Sequence, residues 1–288
     1  MSDKIMITGS RGFIGSALTR YFDNTIEYDI TIDEGMSVLN EHTLSLFIDK
    51  VKPNIIIHLA GNALPSKSVD DPVYDMKLNI GGTLNLLEVC RNRKIDLLLF
   101  SSTAYVYGKP LHLPVDEDHQ QAYPNLPYGI SKSACESYCN YYRKKYGVPI
   151  TIMRFFNVYG PNQTLGFVVP DMINNIIKNK DEKIKLKCTD TDSRNFLYVD
   201  DLANAVSQIV QKRIVGETIN LGGKDNVKII DLAKKIAKII GKNITFEMEK
   251  HSEKSKISSI YADISKAEKL LDWSPKTSLE EGLKKVVM

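Results

Sequence analysis

Along the first 160 residues, short apolar-rich runs alternate with longer amphipathic stretches. Lys4–Thr8, Thr25–Asp29, Ile55–Leu59, Leu97–Ser101 and Ile150–Arg154 have strand length and are apolar enough to predict a sheet covered on both faces. Between them, the spacing predicts helices over Gly12–Tyr21, Glu41–Lys50, Asp75–Arg93 and Tyr128–Tyr146. Strands alternating with helices and joined by right-handed crossovers form a doubly wound parallel sheet of the α/β class. Past Pro161 the alternation loosens. A helix is expected near Val168–Lys178, strands at Ile184–Leu186, Phe196–Tyr198 and Thr218–Asn220, and a helix near Asp200–Lys212. Ile229, Leu232, Ala233, Ile236, Ala237 and Ile240 recur on one helical face, with Gly241 placed to end it. The expected organisation is a first domain over residues 1–162 and a smaller α/β C-terminal lobe over 163–288, with the stretch near 196–222 able to rejoin the first domain.

Composition narrows the function classes. The 288 residues are 43% apolar and 25% charged, and 38 Lys plus Arg against 35 Asp plus Glu leave a net charge of +3. Both signs are interspersed, so no basic face presents itself to a phosphate backbone, and nucleic acid is not expected as a partner. The opening Met1-Ser2-Asp3-Lys4 runs directly into Ile5-Met6-Ile7, too short for a signal segment, and no apolar run has membrane-spanning length. A cytoplasmic protein without a membrane partner is the expectation. Cys90, Cys135, Cys139 and Cys188 lack the spacing of a metal site and read as reduced thiols, with no metal expected. The Lys-rich run from Lys250 to Lys256 lacks apolar periodicity and reads as a solvated loop.

Thr8-Gly9-Ser10-Arg11-Gly12-Phe13-Ile14-Gly15 follows the first strand and opens the first helix, the context in which a glycine triplet has a mechanical meaning. Gly9 permits the tight turn, Gly12 lets backbone N–H groups approach a pyrophosphate, and Gly15 permits close helix–strand packing. Asp29, 20 residues after Gly9 at the end of the second strand, is placed to accept hydrogen bonds from an adenosine ribose. The first domain is thus predicted to be a Rossmann fold. A carboxylate there repels a 2′-phosphate and favours NAD, whereas the Arg11 countercharge leaves NADP open.

A second constellation follows the fourth strand. In Tyr128-Gly129-Ile130-Ser131-Lys132 the tyrosine and lysine lie one helical turn apart, so the ammonium can sit near the phenol. That cation, together with an oxidised nicotinamide, favours the phenolate and suits Tyr128 to move protons. Thr103, at the end of the fourth strand, is placed to hold the same substrate oxygen. Asn157 follows a strand end that faces the same cleft. His58, ending an apolar strand, reads as a packed core residue, and Trp273 as a packing anchor.

The chain resembles extended short-chain dehydrogenases/reductases of the nucleotide-sugar epimerase and dehydratase branch. The resemblance rests on Thr8–Gly15, His58–Gly61, Asn79–Thr83, Ser101–Gly108, Tyr128–Lys132, Arg154–Pro161, Arg194–Asp201, Asp263–Ala267 and Leu271–Pro275. It implies cofactor contacts at Gly9, Arg11, Gly12, Phe13, Ile14, Gly15, Asp29, Leu59, Ala60, Tyr128, Lys132 and Phe155, and substrate contacts at Ser102, Thr103, Asn157 and Arg194. Arg194 suits a diphosphate through its two-pronged guanidinium. Ile260, three residues before Asp263, occupies a family position that gates sugar substituents. The resemblance also implies pairing of the helices Asp75–Arg93 and Tyr128–Tyr146 across a two-fold axis, hence a homodimer.

Some positions depart from the family pattern. Cys188–Ser193 replaces a glycine-rich run, Asn195 replaces an aspartate, and Glu253 stands where relatives place a diphosphate-binding arginine, with Lys254 and Lys256 the nearby basic residues. Only Ser37 occurs where relatives carry an adenine-binding aspartate. The acidic dipeptide of dehydratases is Ala104-Tyr105 here, which disfavours dehydration. Epimerisation at C4 of a UDP-hexose or UDP-N-acetylhexosamine is the leading expectation. Reduction of a 4-keto sugar nucleotide is the alternative, and a non-enzymatic NAD sensor or scaffold is disfavoured because it would leave Thr103, Tyr128 and Lys132 idle.

Overall fold

The computed structural model describes residues 3–120, 124–249 and 259–288. Its centre is a six-stranded sheet containing β1 (Ile5–Thr8), β2 (Thr25–Tyr28), β3 (Ile55–His58), β4 (Leu97–Thr103) and β5 (Ile150–Phe155). The sixth strand, Thr218–Leu221, lies at the edge beside β5, and the order across the sheet is Thr218–Leu221, β5, β4, β3, β1, β2. Every pairing is parallel. Chain order reverses direction between β1 and β3, which opens a crevice at their carboxyl ends.

Side-chain alternation along the strands explains why both faces are covered. Ile5, Ile7, Ile55, Ile57, Leu97 and Leu99 join one apolar cluster. Their neighbours Met6, Ile56, Leu98 and Phe100 join another on the opposite face. The first cluster is closed by α1 (Phe13–Tyr21) and by residues far along the chain, including Leu202, Val206, Ile209, Ala267, Leu271 and Trp273. Trp273 also donates its indole N–H to the Asp201 carbonyl at 3.1 Å, so it is an anchor with a polar tip. The second is closed by α2 (Glu41–Val51), by the helical stretch ending at Arg91 and by the long helix at Pro127–Tyr146.

The predicted helix Asp75–Arg93 needs correction. Helical structure starts with α3 (Pro65–Asp70) and α4 (Pro72–Met76), widens into a π turn at Lys77–Gly81, and continues as α5 (Gly82–Arg91). Asp71 caps α4 by accepting the Tyr74 N–H at 2.8 Å, and Pro72 occupies the first turn, a start signal that apolar periodicity alone misses. The π turn places Asn79 among buried groups, a pattern common at functional sites. The α-helix after β4 is α6 (Pro127–Tyr146).

Beyond β5, α7 (Val168–Lys178), α8 (Val199–Gln211), α9 (Ile229–Ile240), α10 (Ser265–Leu271) and α11 (Leu279–Val287) follow. Helix α9 ends at Gly241, whose φ of 79° is the left-handed conformation that glycine adopts without steric cost. A third apolar cluster joins α7, α9 and α11. Ser193–Asn195 pairs with Asn226–Lys228 and with Ser259–Ile260. The stretch Lys250–Lys256, expected as a solvated loop and containing Glu253, Lys254 and Lys256, lies outside the described residues. Among the described residues no helix is long and apolar enough to cross a membrane.

Candidate active site

The crevice is lined on one side by the turn between β1 and α1. Gly9 has a φ of 70°, and a Cβ there would lie 2.8 Å from the Ala60 nitrogen, so this turn and the segment after β3 touch backbone to backbone. At Gly15 a Cβ would come within 2.1 Å of the Gly9 oxygen, which makes glycine obligatory for the helix to approach. Gly12 is the N-cap of α1 and no side chain caps that helix. Thr8 ties the two segments together: its oxygen accepts the Leu59 N–H at 3.1 Å, and its hydroxyl accepts the Ala60 N–H at 3.3 Å.

Asp29 is buried and shapes the turn directly. One carboxylate oxygen accepts the Arg11 N–H at 3.0 Å, and the other accepts the Thr31 N–H and hydroxyl at 2.9 and 2.8 Å. A carboxylate offers about four lone-pair sites, so these bonds leave it acceptor capacity. The Arg11 side chain turns instead to Glu27, at 2.6 Å. Ile14, Leu59 and Phe155 meet at the rim of one apolar cluster. Phe13 lies nearby against Gly160.

Beyond this turn, β4 carries Thr103 and α6 carries Tyr128 and Lys132. Thr103 pairs in register with Phe155 of β5. The Thr103 side chain hydrogen-bonds the Tyr128 phenol and lowers its pKa, but burial acts more strongly and holds that phenol above its ordinary range. Burial therefore favours the neutral phenol in the folded chain. Lys132 is itself buried, its Nζ donating to the Ser101 carbonyl at 3.0 Å and sitting 5.0 Å from the centre of the Phe100 ring. Burial lowers the Lys132 pKa, while Cys135, Asp75, Cys139 and Glu136 oppose that shift. Tyr105 packs edge-on against Tyr128, with ring centres 5.8 Å apart.

Ser102 stands apart from the trio. It is buried, and its hydroxyl donates to Glu136, which also pairs with Arg154. His58 is a core residue: Nδ1 lies 2.7 Å from the Thr8 hydroxyl and Nε2 3.2 Å from that of Thr83. Burial, aided by Lys132, pushes its imidazole down to about 3.

On the far side, Asn157 donates to the Asn195 carbonyl at 3.2 Å, joining the end of β5 to the strand that bears Arg194. Arg194 and Ile260 are register partners on adjacent strands. Ile260 packs with Ala104, Val106 and Tyr107, the turn that follows Thr103. Two residues 66 positions apart thereby reach the same wall. Asn195 spends its amide on the Gly223 and Asp225 carbonyls, both at 2.8 Å.

The fold agrees with the comparisons to known proteins. The family model described as the NAD dependent epimerase/dehydratase family matches residues 5–222. The chain belongs to that family. A putative UDP-glucose 4-epimerase of Methanocaldococcus jannaschii is 34% identical over 305 residues, covering 98% of this chain and 97% of that protein. A dTDP-D-glucose 4,6-dehydratase of Dictyostelium discoideum is 32% identical over 270 residues, covering 82% of this chain and 62% of that protein. Among solved structures, the UDP-glucuronic acid 4-epimerase of Bacillus cereus, in complex with UDP-glucuronic acid and NAD, aligns with a TM-score of 0.86 and 30% identity. That match covers 98% of this chain and 96% of that one. The chain is thus an enzyme of an NAD-dependent family with a Rossmann-type sheet.

Sequence motifs give no role to Asp75, Asn62 and Ser131, which join Asn79 in one buried hydrogen-bonded group. They also give no role to Glu136, one helical turn beyond Lys132. The spacings were available, from Asp75 to Asn79 and from Lys132 to Glu136. Nothing local distinguished them from ordinary helix-surface pairs.

Proposed function

We propose that this protein catalyses C4 epimerisation of a UDP-hexose or UDP-N-acetylhexosamine with NAD as resident cofactor. The observation that supports the reading is the hydrogen bond between the Thr103 side chain and the Tyr128 phenol, with buried Lys132 one helical turn along α6 and the neutral pair Ala104 and Tyr105 directly after Thr103. Dehydration needs a second acid/base pair, and this position supplies none.

The residues present fit a dinucleotide. The uncapped start of α1 offers backbone donors, and a Cβ on Gly12 would meet only the Gly9 oxygen, at 3.3 Å, so space remains beside the turn. Gly9–Gly15, Asp29, Leu59, Ala60, Tyr128, Lys132 and Phe155 would hold it. The chemistry supplied by NAD when bound is reversible acceptance of a hydride from the sugar carbon. Arg194 anchors the diphosphate, Asn157 and Ile260 border the sugar, and Thr103 orients the reacting hydroxyl. Tyr128 takes that proton and later returns it, and the neighbouring positive charges of Lys132 and the nicotinamide offset the burial that keeps its phenol protonated. Inversion requires the sugar to turn while the nucleotide stays fixed, so binding strength belongs at the diphosphate.

In this reading, residues 1–162 carry the cofactor, residues 163–288 mainly the substrate, and the enzyme works in the cytoplasm as a homodimer. Support for pairing comes from apolar side chains exposed on α3, α4 and α6, among them Val69, Val73, Met76, Ile130, Tyr138 and Tyr141.

The test is a panel of nucleotide sugars incubated without added cofactor and followed by NMR. Interconversion of C4 epimers supports the proposal. Consumption of NADH or NADPH with reduction of a 4-keto-6-deoxy sugar nucleotide, and no epimerisation, makes the protein a reductase. Bound cofactor without turnover of any nucleotide sugar makes it a sensor or scaffold.

A further inference from the structure

The proton-transfer scheme makes no use of Asp75, a carboxylate buried in the first domain. Asp75, in α4, is 0% exposed. Its Oδ1 accepts amide hydrogens from Asn62 at 2.8 Å and from Asn79 at 3.0 Å. Its Oδ2 meets no hydrogen-bond donor among the described residues. An enclosed anionic oxygen is costly unless a nearby cation compensates it.

The surrounding contacts lead to Lys132. The Asn79 amide also donates to the hydroxyl of Ser131, the residue before Lys132, at 3.1 Å. Asn79 accepts the Asn62 N–H at 2.9 Å, which ties in the segment after β3. A Cβ on Gly61 would lie 2.5 Å from the Asn79 oxygen and 3.7 Å from Lys132 Nζ, so asparagine and ammonium flank the same bare glycine. Asp75 acts electrostatically on both Lys132 and Tyr128.

We propose that Asp75 is the buried counter-ion of Lys132, a positioning residue that, through Asn79, keeps the ammonium charged and fixed beside Tyr128. This rests on the proton-transfer role assigned to Tyr128 above. Other groups facing this pocket are Tyr128, Lys132, Cys135, Glu136 and Cys139 from α6, Tyr105 from the turn after β4 and His58 at the end of β3. Glu136 is engaged by Arg154, and Lys67, Asp70 and Lys77 on the adjoining helical segments are exposed to solvent. Asp75 is therefore the carboxylate left to balance Lys132 from the α4 side.

The test is Asp75→Asn, which keeps the accepting oxygen and removes the charge, with Asp75→Ser as a second neutral variant. Losing a negative charge lowers the proton affinity of both neighbours, so both limbs of the pH profile of kcat should move to lower pH by about half to one unit. A purely structural role would reduce kcat without displacing the limbs. Tyr128 ionisation is also read without turnover, as tyrosinate absorbance lost on adding Tyr128→Phe to each background, and it should shift in the same direction. That measurement stands even if no nucleotide sugar is a substrate, so failure of the reaction assignment is distinguishable from failure of this one. In the unaltered protein, the carboxyl-carbon NMR signal of Asp75 should be that of an ionised group at neutral pH. An unshifted Tyr128 titration in the folded variants, or a protonated Asp75 in the unaltered protein, overturns the proposal.

Discussion

The guanidinium of Arg154 and the carboxylate of Glu136 face each other at 2.8 Å with both side chains almost sealed from solvent. Arg154 belongs to β5 and Glu136 to α6, the helix that carries Tyr128 and Lys132, so this pair fixes α6 to the sheet. The Tyr107 hydroxyl and the Glu117 carbonyl take the remaining guanidinium donor, at 2.8 and 3.0 Å.

Removing one partner leaves the other as an uncompensated buried charge. Arg154→Met or Glu136→Leu should each destabilise the fold by about 3–5 kcal/mol, and the double variant should recover most of that loss. Urea denaturation measures all three. Additive losses in the double variant would show that the two side chains act separately.

Tyr128→Phe should reduce kcat by roughly 10²- to 10⁴-fold while NAD affinity stays within a few-fold of the unaltered enzyme. Lys132→Ala should weaken both, because its ammonium serves phenol and cofactor together. Calorimetric titration of NAD beside a turnover assay separates the two effects, and unaltered turnover in Tyr128→Phe would end the assignment.

His58 carries an acid liability. Its imidazole is pushed down to about 3 by burial from an ordinary value of 6.5, so between those limits the unfolded chain binds a proton that the folded chain does not. Stability is therefore unaffected by His58 above about pH 6.5 and is lost as pH falls toward 3, with a slope approaching about 1.4 kcal/mol per pH unit. His58→Asn should flatten that part of the stability profile, measured by denaturant titrations at a series of pH values.

NAD should bind more tightly than NADP, because Asp29 repels a 2′-phosphate and Arg11 is drawn to Glu27. Asp29→Ala should narrow the preference by roughly tenfold, equivalent to about 1.4 kcal/mol. Tighter binding of NADP by the unaltered protein would mean that Arg11 leaves Glu27 for the phosphate.

The exposed stripe of Ile130, Tyr138 and Tyr141 on α6 gives the proposed dimer a specific test. Light scattering at micromolar concentration should report twice the chain mass, and Tyr138→Glu with Tyr141→Glu should halve it. A monomeric unaltered protein would refute the pairing.

The elements legible from the amino-acid order alone are those that local physics encodes. Apolar runs of strand length become β1 to β5, and the helical stripe from Ile229 to Ile240 becomes α9 and stops at Gly241, because strand and helix periods and left-handed glycine are properties of neighbouring residues. The glycine turn and the one-turn spacing of Tyr128 and Lys132 are legible for the same reason. Tertiary structure decided which distant residues meet. It sent the strand Thr218–Leu221 to the edge beside β5, turned the Ser102 hydroxyl toward Glu136, set Ile260 beside Arg194, and widened the helix at Lys77–Gly81 where Asn79 joins Asp75 and Ser131. Those outcomes depend on packing and on satisfying buried polar groups across the fold, and no window of adjacent residues contains that information.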